Sequence, residues 1–185
     1  AARLVLLLLS IGLLLTTYFL GKTLANSSVG FFSCFTLAIQ PLFFAQSILI
    51  LPEIMLSLLG MLCLLFYLRK QYVCFFIFAV MLVLTKETSV VVFAGIALNE
   101  CYKKKFKLSI ALISEIVKWS LPTFFYIGFL FIQKQQCGWF LYPYHTNLVS
   151  FSIGSVLLRL FLAIITLFFD QGRFLITIVF FWILK

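Results

Sequence analysis

Residues 46–53 read QSILILPE. A carboxylate, Glu53, stands directly after a proline, with apolar sequence on both sides. Pro52 has no backbone N–H and disfavours helix at the residue before it, so the chain turns here and a new helix begins near Glu53. In the first turn of that helix the negative charge suits the helix dipole. A charge facing lipid costs about 2–3 kcal/mol or more, so Glu53 is expected to face water, a partner or a bundle interior. The reading is a helix that arrives at a membrane surface, a corner that presents Glu53, and a helix that leaves.

Composition extends this reading to the whole chain. Of 185 residues, 64% are hydrophobic and only 10% charged, and the mean hydropathy is +1.21. Soluble domains carry about 25% charged residues, so an ordinary soluble domain is excluded. The expected fold is all-α: a polytopic membrane helix bundle of about 6–8 membrane segments, some short or re-entrant. The 24 phenylalanines suit lipid-facing and interhelical packing. A net charge of +9 does not call for nucleic acid, because Lys and Arg in a membrane chain mark cytoplasmic loops. Cys34, Cys63, Cys74, Cys101 and Cys137 show no metal spacing and read as small hydrophobes. The sequence opens at Ala1 without Met and ends in an apolar run at Lys185. One transmembrane domain, residues 1–185, cut from a longer protein is the expectation.

Apolar segments fall at 4–20, 29–45, 54–68, 72–85, 89–101, 109–133, 153–169 and 174–185. Basic residues concentrate in alternate connectors. Lys22, then Arg69 and Lys70, then Lys103, Lys104, Lys105 and Lys107, then Arg173 lie in the first, third, fifth and seventh. The other three hold only Lys86 and Lys134. This asymmetry places the odd connectors in the cytoplasm and puts Glu53, Lys86 and the 134–152 loop on the outer face. As one helix, 72–101 would be about 45 Å long and would bury Thr85–Thr88 in mid-membrane. The charges predict instead two short helices in a hairpin, with the TKET corner outward. Asn26-Ser27-Ser28 matches an N-glycosylation pattern, but this topology puts it inside. No heptad or internal repeat is visible.

Glu53 reads either as a helix-start carboxylate or as a cavity group that holds a metal, a sugar hydroxyl or a proton. Lys86 and Glu87 read either as a local ion pair or as a phosphate contact tuned by its neighbour. Trp139, Tyr142 and Tyr144 are interfacial aromatics that also suit sugar stacking. His145, the single histidine, is a candidate metal ligand or phosphate contact. Glu115 and Lys118, three apart on a helix, are expected to neutralise each other. Arg159 snorkels or faces a cavity. Asp170 and Arg173 read as structural.

The order of Pro41, a short outer loop, LPE at 51–53, RK at 69–70, LTKET at 84–88, a basic loop and an outer aromatic loop with His145 resembles the membrane-embedded glycosyltransferases of the GT-C class. Within it, the similar branch is glycosyltransferase family 39, with the protein mannosyltransferases and lipid-linked aminoarabinose transferases. The resemblance spans residues 1–170 by topology, and its motifs are short. It implies transfer of a sugar from a polyprenyl-phosphate-linked donor to a lipid, glycan or protein acceptor on the outer face, with a divalent metal ion as a candidate cofactor. It implies a cell-membrane, multi-pass location (the inner membrane in a Gram-negative cell). Glu53 matches the family's acidic position opening a helix, where Asp is commoner. Leu84-Thr85-Lys86 matches the motif whose lysine meets the donor phosphate. Glu87, Trp139, Tyr142, Tyr144 and His145 then become substrate-binding candidates, and Glu53 and His145 metal candidates. One departure stands out: the family's main catalytic carboxylate lies in an outer loop expected ahead of residue 1. A transporter or flippase domain is the alternative, since recessed hairpins and intramembrane charges suit it too. An O-antigen-polymerase-like enzyme is disfavoured, as the outer connectors hold no arginine. A purely structural membrane subunit is the remaining alternative.

Overall fold

The structure, a computed structural model, describes residues 2–49, 52–107, 109–140, 152–169, 174 and 178. Among the described residues every regular element is helical. The chain forms two compact units, Ala1–Cys137 and Gly138–Lys185. The first holds α1 (Ala2–Leu24), α2 (Ser27–Ala38), α3 (Pro41–Ile48), α4 (Glu53–Leu68), α5 (Tyr72–Thr85), a 3-10 turn at Glu87–Ser89, α6 (Val90–Lys103), α7 (Ile110–Ser120) and α8 (Pro122–Cys137). The second holds α9 (Ile153–Phe168), whose first turn is capped by the Ser152 hydroxyl, 3.1 Å from the Ser155 N–H. Arg159 of α9 is exposed, and Asp170 and Arg173 lie outside the described residues.

Only α1, among the described helices, is long and apolar enough by itself to cross a membrane. The pairs α2/α3 and α7/α8 reach that length together, each with a sharp bend. Large apolar side chains such as Leu4, Leu8, Phe31, Phe32, Val73 and Val91 stand exposed on the outer faces. Soluble monomers rarely leave such surface to water. A helix of crossing length and an apolar exterior fit a membrane setting.

The bends correct two expected segments. Residues 109–133 do not form one helix: α7 and α8 meet at 52°, with Pro122 opening α8. A proline ring clashes with the carbonyl four residues back and offers no N–H, so the helix breaks there. Residues 29–45 likewise split at Ile39–Gln40, where Pro41 opens α3 at 64° to α2.

The Asn26 side chain caps α2 by accepting the Val29 N–H at 2.9 Å, which turns the chain sharply after α1. α1 and α2 then touch backbone to backbone: a Cβ on Gly30 would lie 2.5 Å from the Tyr18 carbonyl oxygen. α4 begins where Pro52 dictates, with the Leu56 N–H on the Pro52 carbonyl at 2.8 Å and Glu53 in the first turn. Leu6, Leu13 and Ile54 pack α1 against α4. A larger core of Leu59, Cys63, Phe75, Leu82, Phe93 and Trp119 joins α4, α5, α6 and α7. All five cysteines are free thiols.

The expected hairpin is present. α5 and α6 are separate helices, and Lys70, Lys103 and Lys104 line one cavity at the same end of the unit. Glu53 and Lys86 meet at the other end. Arg69 lies 6.0 Å from the Phe19 ring near the C-terminus of α1, so that connector joins the basic end as well.

Candidate functional site

The helix ends place Glu53. Pro52 fixes the start of α4, and the carboxylate projects from its first turn. Lys86 is placed by the end of α5. Its backbone is extended (φ −156°, ψ 134°), which swings it off the helix. Ser89, buried in the following turn, holds that corner. Its hydroxyl donates to the Lys86 carbonyl and, at 3.1 Å, to the Leu82 carbonyl. The Leu82 carbonyl also accepts the Lys86 N–H at 3.4 Å, so the hydroxyl adds a second contact at the end of α5.

Lys86 Nζ and Glu53 Oε1 then lie 3.3 Å apart, across 33 residues of sequence. The two side chains retain 40% and 31% of their exposure. Glu53 Oε2 is buried and has no hydrogen-bond partner among the described residues. A buried polar atom without a partner costs about 1–3 kcal/mol, more when charged. The pair therefore joins an accessible cation to a carboxylate with one acceptor to spare.

The other candidates divide. Glu87 contributes its backbone to the turn, and its side chain lies outside the described residues. Trp139 belongs to the second unit, where it is half-buried. Tyr142, Tyr144 and His145 lie outside the described residues. Among the described residues no three of His, Cys, Asp and Glu come together as a metal site would need. Glu53 faces an ammonium rather than a second metal ligand. Glu115 and Lys118 pair at 3.8 Å as expected, and Glu115 also accepts the Trp119 indole N–H at 3.0 Å.

Compared with protein-family models, curated proteins and solved structures, the chain shows no match. Geometry and residue chemistry alone bear on its function.

A second polar cluster, at the basic end, escaped the sequence reading. Tyr67 donates its hydroxyl to Glu100. Asn99 Nδ2 and Lys103 Nζ donate to the same phenol oxygen at 2.8 and 2.9 Å, and Lys103 Nζ lies 2.7 Å from Glu100 Oε1. Glu100 is only 7% exposed. Its presence at the end of an apolar segment, three residues before Lys103, was a readable signal of the kind that singled out Glu53. Tyr67 gave no such signal, because its partners lie more than thirty residues away.

Proposed function

We propose that this chain belongs to a membrane-embedded glycosyltransferase of GT-C type. It moves a sugar from a polyprenyl-phosphate-linked donor to an acceptor at the membrane face that bears Glu53 and Lys86, the outer face of a multi-pass protein. The observation that carries this reading is the Glu53–Lys86 pair, 3.3 Å apart at the end opposite the basic loops, with one carboxylate oxygen unpartnered. The resemblance of Leu84-Thr85-Lys86 and of Glu53 to that family's short motifs supports it.

In the proposed step, the acceptor hydroxyl oxygen attacks the anomeric carbon. The bond from that carbon to the phosphate oxygen breaks, and its electron pair leaves on the phosphate. The hydroxyl proton passes to a carboxylate base of the kind the resemblance implies. Lys86 supplies a point charge for the leaving phosphate, where developing negative charge is worth stabilising. Glu53 Oε1 aims that ammonium. By the resemblance alone, Trp139, Tyr142 and Tyr144 are candidates for sugar stacking and His145 for a phosphate contact.

The test is to place the intact protein in liposomes with a radiolabelled polyprenyl-phosphate sugar and a panel of lipid and glycan acceptors. Labelled product and free polyprenyl phosphate are expected together. A folded protein that releases neither from any donor refutes the reading. A second reading, a transporter or flippase, is favoured by one observation: the Pro-broken pairs α2/α3 and α7/α8. Broken helices often line transport sites. In that case the same liposomes would move the labelled lipid between leaflets without cleaving it.

A further inference from the structure

The basic end of the first unit holds a cavity of about 380 Å³ between the ends of α4 and α6 and the side of α7. Four lysines line it, Lys70, Lys103, Lys104 and Lys118, against two glutamates, Glu100 and Glu115. Both glutamates are already engaged. Glu100 is held by Lys103 and Tyr67, and Glu115 by Lys118 and Trp119. That leaves Lys70 and Lys104 with no ion-pair partner among the described residues.

The backbone adds an independent observation. α4 ends in a tight turn in which the Lys70 N–H meets the Tyr67 carbonyl at 3.0 Å and the Gln71 N–H meets the Phe66 carbonyl at 2.9 Å. The residue after the cap in this motif takes a left-handed conformation and is usually glycine. Here it is Lys70, at φ +56°. A side chain in this conformation is unfavourable unless something returns the cost. α6 ends the same way, with Lys105 at φ +50°. Two adjacent helices thus end in lysine where glycine folds better, and one of those lysines lines the cavity.

We propose that this cavity is a binding site for a phosphate-bearing anion, filled in the membrane by the headgroup of an anionic phospholipid. Basic pockets between helix ends at a membrane surface suit such headgroups. Val73 and Ile77 of α5 and Leu98 of α6 are exposed apolar side chains on the helices whose ends flank the cavity, a surface that suits acyl chains. Lys70 and Lys104 supply charge held in no ion pair among the described residues, beside the Tyr67–Glu100–Lys103 network. The site lies at the end opposite Glu53 and Lys86 and stands independently of the sugar-transfer reading.

The experiment measures lipid retention by native mass spectrometry on the intact protein, exchanged from nanodiscs of phosphatidylcholine with or without phosphatidylglycerol. Lys70→Gly is the informative variant, because it removes the charge and relieves the left-handed strain. It should raise or preserve the melting temperature and weaken phosphatidylglycerol retention about fivefold, the contribution of one lysine near an anionic surface. Lys104→Gln should weaken retention by a similar factor, and phosphatidylcholine retention should not change. Lys22→Gln, at the same end but outside the cavity, is the control and should have little effect. Glycerol 3-phosphate distinguishes the source. Competition at comparable concentration assigns the site to a soluble phosphate, and lack of competition assigns it to the lipid. Unchanged retention in both Lys70→Gly and Lys104→Gln, or an equal loss in Lys22→Gln, overturns the proposal.

Discussion

Replacing Lys86 by alanine separates a phosphate contact from a corner ion pair, because the two roles differ in magnitude. The Lys86–Glu53 contact is 3.3 Å long, and its side chains keep 40% and 31% exposure. An ion pair this accessible is worth about 0.2–1 kcal/mol. Its loss alone should lower stability slightly and leave chemistry untouched. A charge-assisted contact to a leaving phosphate is worth about 1.5–3 kcal/mol, so sugar transfer should fall about 10- to 150-fold. Lys86→Arg should recover only part of the rate, since the planar guanidinium places its charge differently. Lys118→Ala, which removes a lysine paired with Glu115 in α7, should not reproduce the loss. The assay is transfer from a polyprenyl-phosphate sugar by purified variants, with folding checked by thermal melting. A folded Lys86→Ala that transfers sugar at the wild-type rate refutes the role given to Lys86.

Gly30→Ala should destabilise the first unit by about 1–3 kcal/mol, because its Cβ would fall 2.5 Å from the Tyr18 carbonyl oxygen. Gly60→Ala, with nothing within 4 Å of the new Cβ, should instead stabilise by about 0.5–1 kcal/mol. Equal melting temperatures for the two would contradict the close approach of α1 and α2. Tyr67→Phe takes one donor from buried Glu100 and should cost about 1–3 kcal/mol in denaturation; a neutral result would show that the hydroxyl does not hold the carboxylate. In a cysteine-free background, Lys70→Cys and Lys104→Cys should react with an impermeant maleimide from the same side of the membrane. Lys86→Cys should react from the other side. Labelling of positions 70 and 104 from opposite sides would sink the hairpin.

Much of the first unit follows from local rules. Pro52 sets the start of α4, and Glu53 falls in its first turn because proline leaves no other place for the helix to begin. The alternation of basic connectors predicts that Lys70 and Lys104 share an end, and they line one cavity. Glu115 and Lys118 pair because three residues along a helix is nearly one turn. Hydropathy reads 109–133 as one segment, whereas Pro122, which opens α8, breaks it. Tertiary structure decided the rest. Hydropathy reports how apolar a segment is, not which face it turns to a neighbour. Nothing local says that Gly21 and Gly30 meet, that Lys86 reaches Glu53, or that Tyr67 lies on Glu100. Those contacts join residues that only helix packing brings together, and packing depends on the shapes of several helices at once. Sequence alone predicted that the basic connectors after α4 and α6 share one end and that Glu53 and Lys86 share the other, since charges avoid lipid whatever their neighbours do. Which of those charges touch was left to the fold.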